Sequence, residues 1–370
     1  MPPPSTGWVT FGHEAAVRML DASHRMGRVS HAYLITGPEQ VGRRTLALDL
    51  ACLLNCDPQP DLFGETSKVD LSSCPQCARI RKGVHADVRT IDVSTVVRSD
   101  RQPSPDEAGD GVRRQRISIE HIHDLQRDAA LKPFEGRARV FIVDGAEDMS
   151  AEAANALLKT LEEPSPEVYI VLVASSPEAL PETVVSRCQR IQLRPVKTGV
   201  IETALIERFS AEAELAGRLA KLSQGRPGWA ISALQDPAVL ELHTQTALRI
   251  VSVVSGGLEV RFKYARDLAG SFRRNREAVL NEMSRWLEWW RDVAVVKAGL
   301  SENAINSDWL PALRAIAAQL TEPEIADAAR EVKSATTALR ANAIPQLAIE
   351  VMVLALPGAK VPESAMAARG

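Results

Sequence analysis

Two unbroken apolar runs, Val140-Phe-Ile-Val143 and Val168-Tyr-Ile-Val-Leu-Val173, flank a segment with helical spacing. Runs without polar alternation suit strands buried on both faces of a parallel sheet. Between them Ser150 stands as an N-cap and Glu152 falls in the first turn, where the helix dipole favours an acid. Ala154, Leu157, Leu158 and Leu161 share one face, and Pro164 blocks continuation. This pattern predicts a βαβ unit. It also puts Asp144 at the C-terminal end of a strand, where open α/β sheets place ligands. Upstream, the pattern predicts a helix over 14–26, a strand over 31–36 and a helix over 46–55. Residues 88–93 form another β-like run. A helix over 117–131 follows, with Ile119, Ile122, Leu125 and Ala129 on one face. His121 and His123 lack clustered ligand partners and read as surface residues. The sheet pattern ends at 192–195. Short helices are expected over 198–236, with a turn at Gly225-Arg-Pro-Gly228, and almost continuous helix from about 238. Trp286, Trp289, Trp290 and Val293 recur at i, i+3, i+4 and i+7, a stripe that reads as core.

The strand at 31–36 runs into Gly37-Pro-Glu-Gln-Val-Gly42-Arg-Arg-Thr45 and then a helix. Strand, glycine turn and helix make up the architecture of a phosphate-binding loop, G-x-x-x-x-G-K-[ST]. Gly37 and Gly42 fit. Arg43 stands at the lysine position and Arg44 at the Ser/Thr position. Arginine is larger, planar and forked. It also cannot hold Mg²⁺ as a hydroxyl does. Thr45 comes one residue late, roughly 100° further round the helix. Gly37, Gly42, Arg43, Arg44, Thr45 and Asp144 are therefore expected to form a nucleotide-site relic without hydrolysis. Weak nucleotide binding stays open as the alternative.

A net charge of −3 argues against coating nucleic acid by bulk electrostatics. At 370 residues, two or three domains are expected. No signal pattern opens the chain, and no run approaches the ~20 apolar residues of a membrane span, so a cytoplasmic location is expected. Five cysteines, an odd number, favour metal or core use over disulfides. Cys74-Pro-Gln-Cys77 is half of a structural zinc site, and Cys52 and Cys56 lie one helical turn apart upstream. The Pro/Gly-rich, charged insert 98–116 reads as a mobile surface loop. Its Arg113, Arg114 and Arg116 are read as a solvated loop end rather than a nucleic-acid contact. The tail, 362–370, reads as disordered.

A strand ending in Asp144, then NALLKTLEEP at 155–164, then Ser186-Arg187-Cys188 together resemble the bacterial DNA polymerase III clamp-loader subunits of the AAA+ superfamily. The likeness extends back through HAYLITGP at 31–38. Within that family the chain most resembles the delta-prime branch. The resemblance implies an α/β plus all-α chain. A RecA-like AAA+ parallel-sheet domain would span 1–195, with a zinc module at 52–85. A small helical lid would follow at 196–237 and a helical collar at 238–361. It also implies that Arg187 is an arginine finger acting in trans on a neighbouring subunit's ATP. The plain alternative is an arginine pairing with a carboxylate at a strand end. ATP-hydrolysing relatives carry glutamate after the aspartate, where this chain has Gly145. Ser175 or Ser176 would sense a γ-phosphate, while Arg226 comes slightly early for a second sensor. Cys188 reads as core. Aligned on the family's cysteine pattern, Cys56, Cys74 and Cys77 match zinc ligands and the fourth position falls on Leu71. Cys52 is a candidate fourth ligand, with His85 behind it. The competing reading is a zinc-less loop packed on an apolar face. The implied partners are ATPase and delta-type subunits in a hetero-pentamer, with the sliding clamp and primed DNA reached through the complex. The implied role is a non-hydrolysing subunit. Two alternatives are an autonomous AAA+ ATPase or the ATP-hydrolysing clamp-loader subunit, and Arg43, Arg44 and Gly145 count against both. A DNA-binding adaptor acting alone is a third, disfavoured by the net charge.

Overall fold

A computed structural model describes residues 7–56, 69–96, 116–272, 274–341 and 343–365. The expected insert up to residue 115, with Arg113 and Arg114, lies outside the described residues, as does the end of the tail, 366–370. The chain divides into two compact units, Met1–Ile231 and Ser232–Gly370.

The first unit runs α1 (Glu14–Arg25), β1 (Ala32–Thr36), α2 (Arg43–Asn55), α3 (Pro75–Arg81), β2 (Val88–Ile91) and α4 (Ile119–Ala129). It continues with β3 (Arg139–Asp144), α5 (Ala151–Glu162), β4 (Val168–Ala174), the one-turn α6 (Glu182–Val185) and β5 (Gln189–Gln192). Then come α7 (Thr198–Phe209), α8 (Ala213–Leu222) and α9 (Pro227–Gln235), inside which the division falls. The five strands form one sheet in the order β2-β3-β4-β1-β5, and every pair is parallel. Tyr33, Ile35, Val140, Ile142, Val171 and Val173 face the α2 side with Leu46 and Leu50. Leu34, Phe141, Val143, Ile170 and Leu172 face the α4–α5 side with Leu125 and Leu157. Both faces are covered, which is why the strands read as unbroken apolar runs. Ser150 caps α5: its hydroxyl accepts the Ala153 N–H at 3.1 Å.

Three expectations change. α2 starts at Arg43 rather than 46, because Gly42, at φ 109°, turns the chain directly into the helix before the first apolar residue. Both arginines thus occupy its first turn. Gln189–Gln192 forms a strand that no apolar run marks; only Ile191 among its side chains is buried, and its backbone pairs with β1. His121 is buried, not on the surface. Its Nδ1 accepts the Ser118 N–H at 3.1 Å, closing the capping box of α4, and its Nε2 lies 2.8 Å from the Thr95 carbonyl oxygen. His123 is exposed, as expected.

The second unit is helical: α10 (Pro237–Ser255), α11 (Leu258–Phe272), α12 (Arg276–Lys297), α13 (Leu310–Gln319), α14 (Glu322–Arg340) and α15 (Pro345–Ala355). α12 packs against α10, α11, α13 and α14. Its Trp286, Trp289, Trp290 and Val293 are wholly buried, as the stripe predicted. Trp286 Nε1 donates to the Tyr264 hydroxyl at 2.7 Å, which donates to Glu282 at 3.0 Å, and Arg249 closes the chain on Glu282 at 2.8 Å. A polar chain satisfied link by link is what lets a helical core hold a buried carboxylate. Ile344, Leu347, Val351 and Leu354 leave an apolar stripe exposed at and along α15.

Candidate functional site: the phosphate loop and the Ser186-Arg187-Cys188 turn

The phosphate loop leaves the C-terminal end of β1, the strand between β4 and β5 in the sheet. α2 has no side-chain N-cap and no acid in its first turn. Two arginines there sit at the positive end of the helix dipole, where cations are disfavoured, so neighbouring carboxylates must offset them. Arg44 Nη1 lies 3.4 Å from Asp144 Oδ2 at the end of β3. Burial pushes the Asp144 carboxyl above its usual range; Arg44 and Arg43 pull it down, and Asp92 and Glu147 push it up. Asp92 is also raised by burial. Hydrogen bonds from Ser94 and Thr95, with the charge of Arg44, more than offset that, and it sits below its usual range. Arg43 Nη1 is buried without a hydrogen-bond partner. Thr45 is half-buried in the same turn.

The loop is held from two sides. Gln40 adopts φ +58°, uncommon for a side-chain-bearing residue. Its carbonyl accepts the Gly228 N–H at 2.8 Å. A Cβ at Gly228 would stand 2.9 Å from that oxygen, so only glycine lets the α9 turn approach this closely. His13 Nε2 lies 2.9 Å from the Val41 carbonyl oxygen. Arg226, beside this turn, donates from Nε to the Ser223 carbonyl at 2.9 Å.

Sequence reasoning missed Glu147. The left-handed turn at Gly145, φ 77°, leads the chain so that Glu147 Oε1 accepts the Ser175 N–H at 3.0 Å. A carboxylate two places late carries no motif signal; only the turn brings it to β4. Neither an ammonium nor a metal-holding hydroxyl occupies its motif position, and a guanidinium faces the aspartate. The residues present do not fit a magnesium-bound nucleotide.

Arg187 is exposed just after α6. Its Nη1 donates to the Thr183 carbonyl at 2.9 Å, and its Nη2 is 2.5 Å from Glu162 at the end of α5. Cys188 turns inward, and burial pushes its thiol up to about 12, as befits a core residue.

Cys56, Cys74 and Cys77 converge: their sulfurs lie within 4.8 Å of one another and all three are buried. Cys52 stands outside that group. Its Sγ lies 3.7 Å from the Cys77 carbonyl, and Cys77 Sγ returns the contact to the Cys52 carbonyl. Leu71 is wholly buried and apolar. His85 is buried too and accepts the Asp87 N–H at 3.1 Å, away from the three thiols' group. Three soft donors suit zinc, and the described residues place no fourth donor within that spacing.

A parallel sheet with a glycine loop after β1, a carboxylate ending β3 and helices beyond make up the fold class of a RecA-like AAA+ unit. The chain belongs to the family described as DNA polymerase III, delta subunit, which matches residues 12–197, half of its length. DNA polymerase III subunit delta' of Bacillus subtilis (strain 168) is 26% identical over 340 residues, covering 92% of this chain and 94% of that one. DNA polymerase III subunit tau of Escherichia coli (strain K12) is 29% identical over 261 residues, 69% of this chain but only 36% of the longer protein. Among solved structures, a gamma subunit-related protein of Thermotoga maritima aligns over 90% of this chain and 97% of its own, with TM-score 0.44 and 17% identity. No described helix is long and apolar enough to cross a membrane.

Proposed function

We propose that this chain is the non-hydrolysing delta-prime subunit of a cytoplasmic DNA polymerase III clamp loader. Its task is to help place the sliding clamp on primed DNA. It works beside ATPase and delta-type subunits in a hetero-pentamer and binds no ATP of its own for hydrolysis. The observation that carries this reading is the division of its arginines. Arg44 faces the partly buried Asp144 at the end of its own chain's β3, whereas Arg187 lies in the turn that carries the family motif and pairs only with the exposed Glu162. A planar guanidinium presented to a neighbour's γ-phosphate neutralises charge that develops during transfer, worth about 10³ or more in rate.

The test is hydrolysis by the cognate ATPase subunits assembled with this chain, clamp and primed DNA. Arg187→Ala, checked for assembly, should cut single-turnover hydrolysis at the adjacent site by about 10³. Unchanged hydrolysis would reduce Arg187 to a structural residue and leave scaffolding as the role.

The three-thiol cluster supports a structural zinc held by Cys56, Cys74 and Cys77, with Cys52 the adjacent thiol for the fourth position. When bound, zinc would supply a cross-link between α2 and α3, with no part in turnover. Elemental analysis should find close to one zinc per chain. Well under one would assign the cysteines to core packing.

A further inference from the structure

Arg44 occupies the loop position at which a hydroxyl would hold magnesium, and its guanidinium lies 3.4 Å from the Asp144 carboxylate. Asp92 lines the same cleft as Arg44, so the guanidinium stands beside carboxylate oxygens of the kind that bind a divalent cation. Arginine has no acceptor lone pair and stays protonated throughout the physiological range. It cannot join a coordination shell, and its exclusion of a second cation does not relax with pH. Arg43, one residue earlier, adds a second positive charge.

We propose that Arg44 is a built-in cation that stands in the metal's place against Asp144, so that any anion entering this cleft does so without a divalent metal. This deepens the non-hydrolysing reading and rests on it. It names the residue that excludes the metal, and it leaves a separate property intact. Arg43 Nη1, buried and without a partner, retains capacity for an anionic group. The loop needs no ligand to keep its shape, because the Gly228 N–H and His13 engage the carbonyls of Gln40 and Val41. Arg44 itself is not locked in: its side chain is 56% exposed, which makes its exchange for a smaller residue compatible with the fold.

The experiment titrates Mn²⁺ into the full-length chain with ADP present, reading protein-bound metal by electron paramagnetic resonance. Circular dichroism checks each variant's fold. The wild type and Arg44→Lys should hold no Mn²⁺ beyond that bound by free ADP. Arg44→Thr should bind it at least tenfold more tightly than wild type, and adding Asp144→Asn should abolish the gain. Folded Arg44→Thr that matches the wild type overturns the proposal, and so does tight Mn²⁺ binding by the wild type itself. Arg44→Gln repeats the test with a neutral side chain of similar length should the threonine variant fail to fold. Either negative result leaves the role of Arg187 standing, because that is read as hydrolysis in another subunit.

Discussion

Arg44 and Arg187 each meet a carboxylate of their own chain, but the carboxylates differ. Asp144 ends a central strand, with its side chain 25% exposed, and burial already works against its charge. Glu162 ends a helix, and its side chain is 48% exposed. An exposed pair contributes about 0–1 kcal/mol and exchanges readily for water or a stronger anion. A half-buried carboxylate deprived of its cation has no comparable substitute. On the proposed function, this difference separates an arginine held against its own chain's strand-end carboxylate from one released to a neighbour, although both are exposed guanidinium groups on the same unit.

The largest expected effect tests the available arginine. In the assembled complex Arg187→Lys keeps the charge but loses the planar fork, and hydrolysis at the adjacent site should fall nearly as far as with alanine. Full activity with lysine would mean that point charge alone suffices. Next comes the loop's hold on the α9 turn. Gly228→Ala drives a Cβ against the Gln40 carbonyl and should cost about 1–3 kcal/mol in urea unfolding of the chain. A neutral result would show that the turn moves aside freely. The smallest effect lies in titration. The folded protein raises Asp144 above the 3.8 of its unfolded form. Its protonated form is favoured, so this contribution to stability is fully present below that value and is lost as pH rises through the folded pKa. Arg44→Gln removes a guanidinium that pulls the value down, so the Asp144 carboxyl resonance should titrate at higher pH than in the wild type. A downward move would break the pairing.

Much of this was legible in the chain. Ser150, the apolar runs and the tryptophan stripe each follow local rules of capping, strand burial and helical period, and each stands where those rules put it. Arg43 and Arg44 were legible as departures from a motif. What Arg44 does was not, because its partner lies 100 residues away on another strand. Glu147 was hidden for the same reason: its place depends on the left-handed turn at Gly145 and on the Ser175 N–H. His121 read as a surface residue because a buried ring can be satisfied by one cap and one distant carbonyl without any cluster in sequence. β5 escaped because backbone pairing with β1 leaves no apolar pattern.

The sequence by itself determined the parallel α/β unit, the helical second unit, the altered phosphate loop and the arginine turn, since periodicity, caps and residue types are local properties. Only the tertiary structure decided which charges meet. It set Arg44 against Asp144 and the Gly228 N–H against the Gln40 carbonyl. It gathered three thiols and left Arg187 on the surface. Electrostatic and hydrogen-bond energies depend on distance in space, and the chain brings those groups together only when the sheet and its helices have packed.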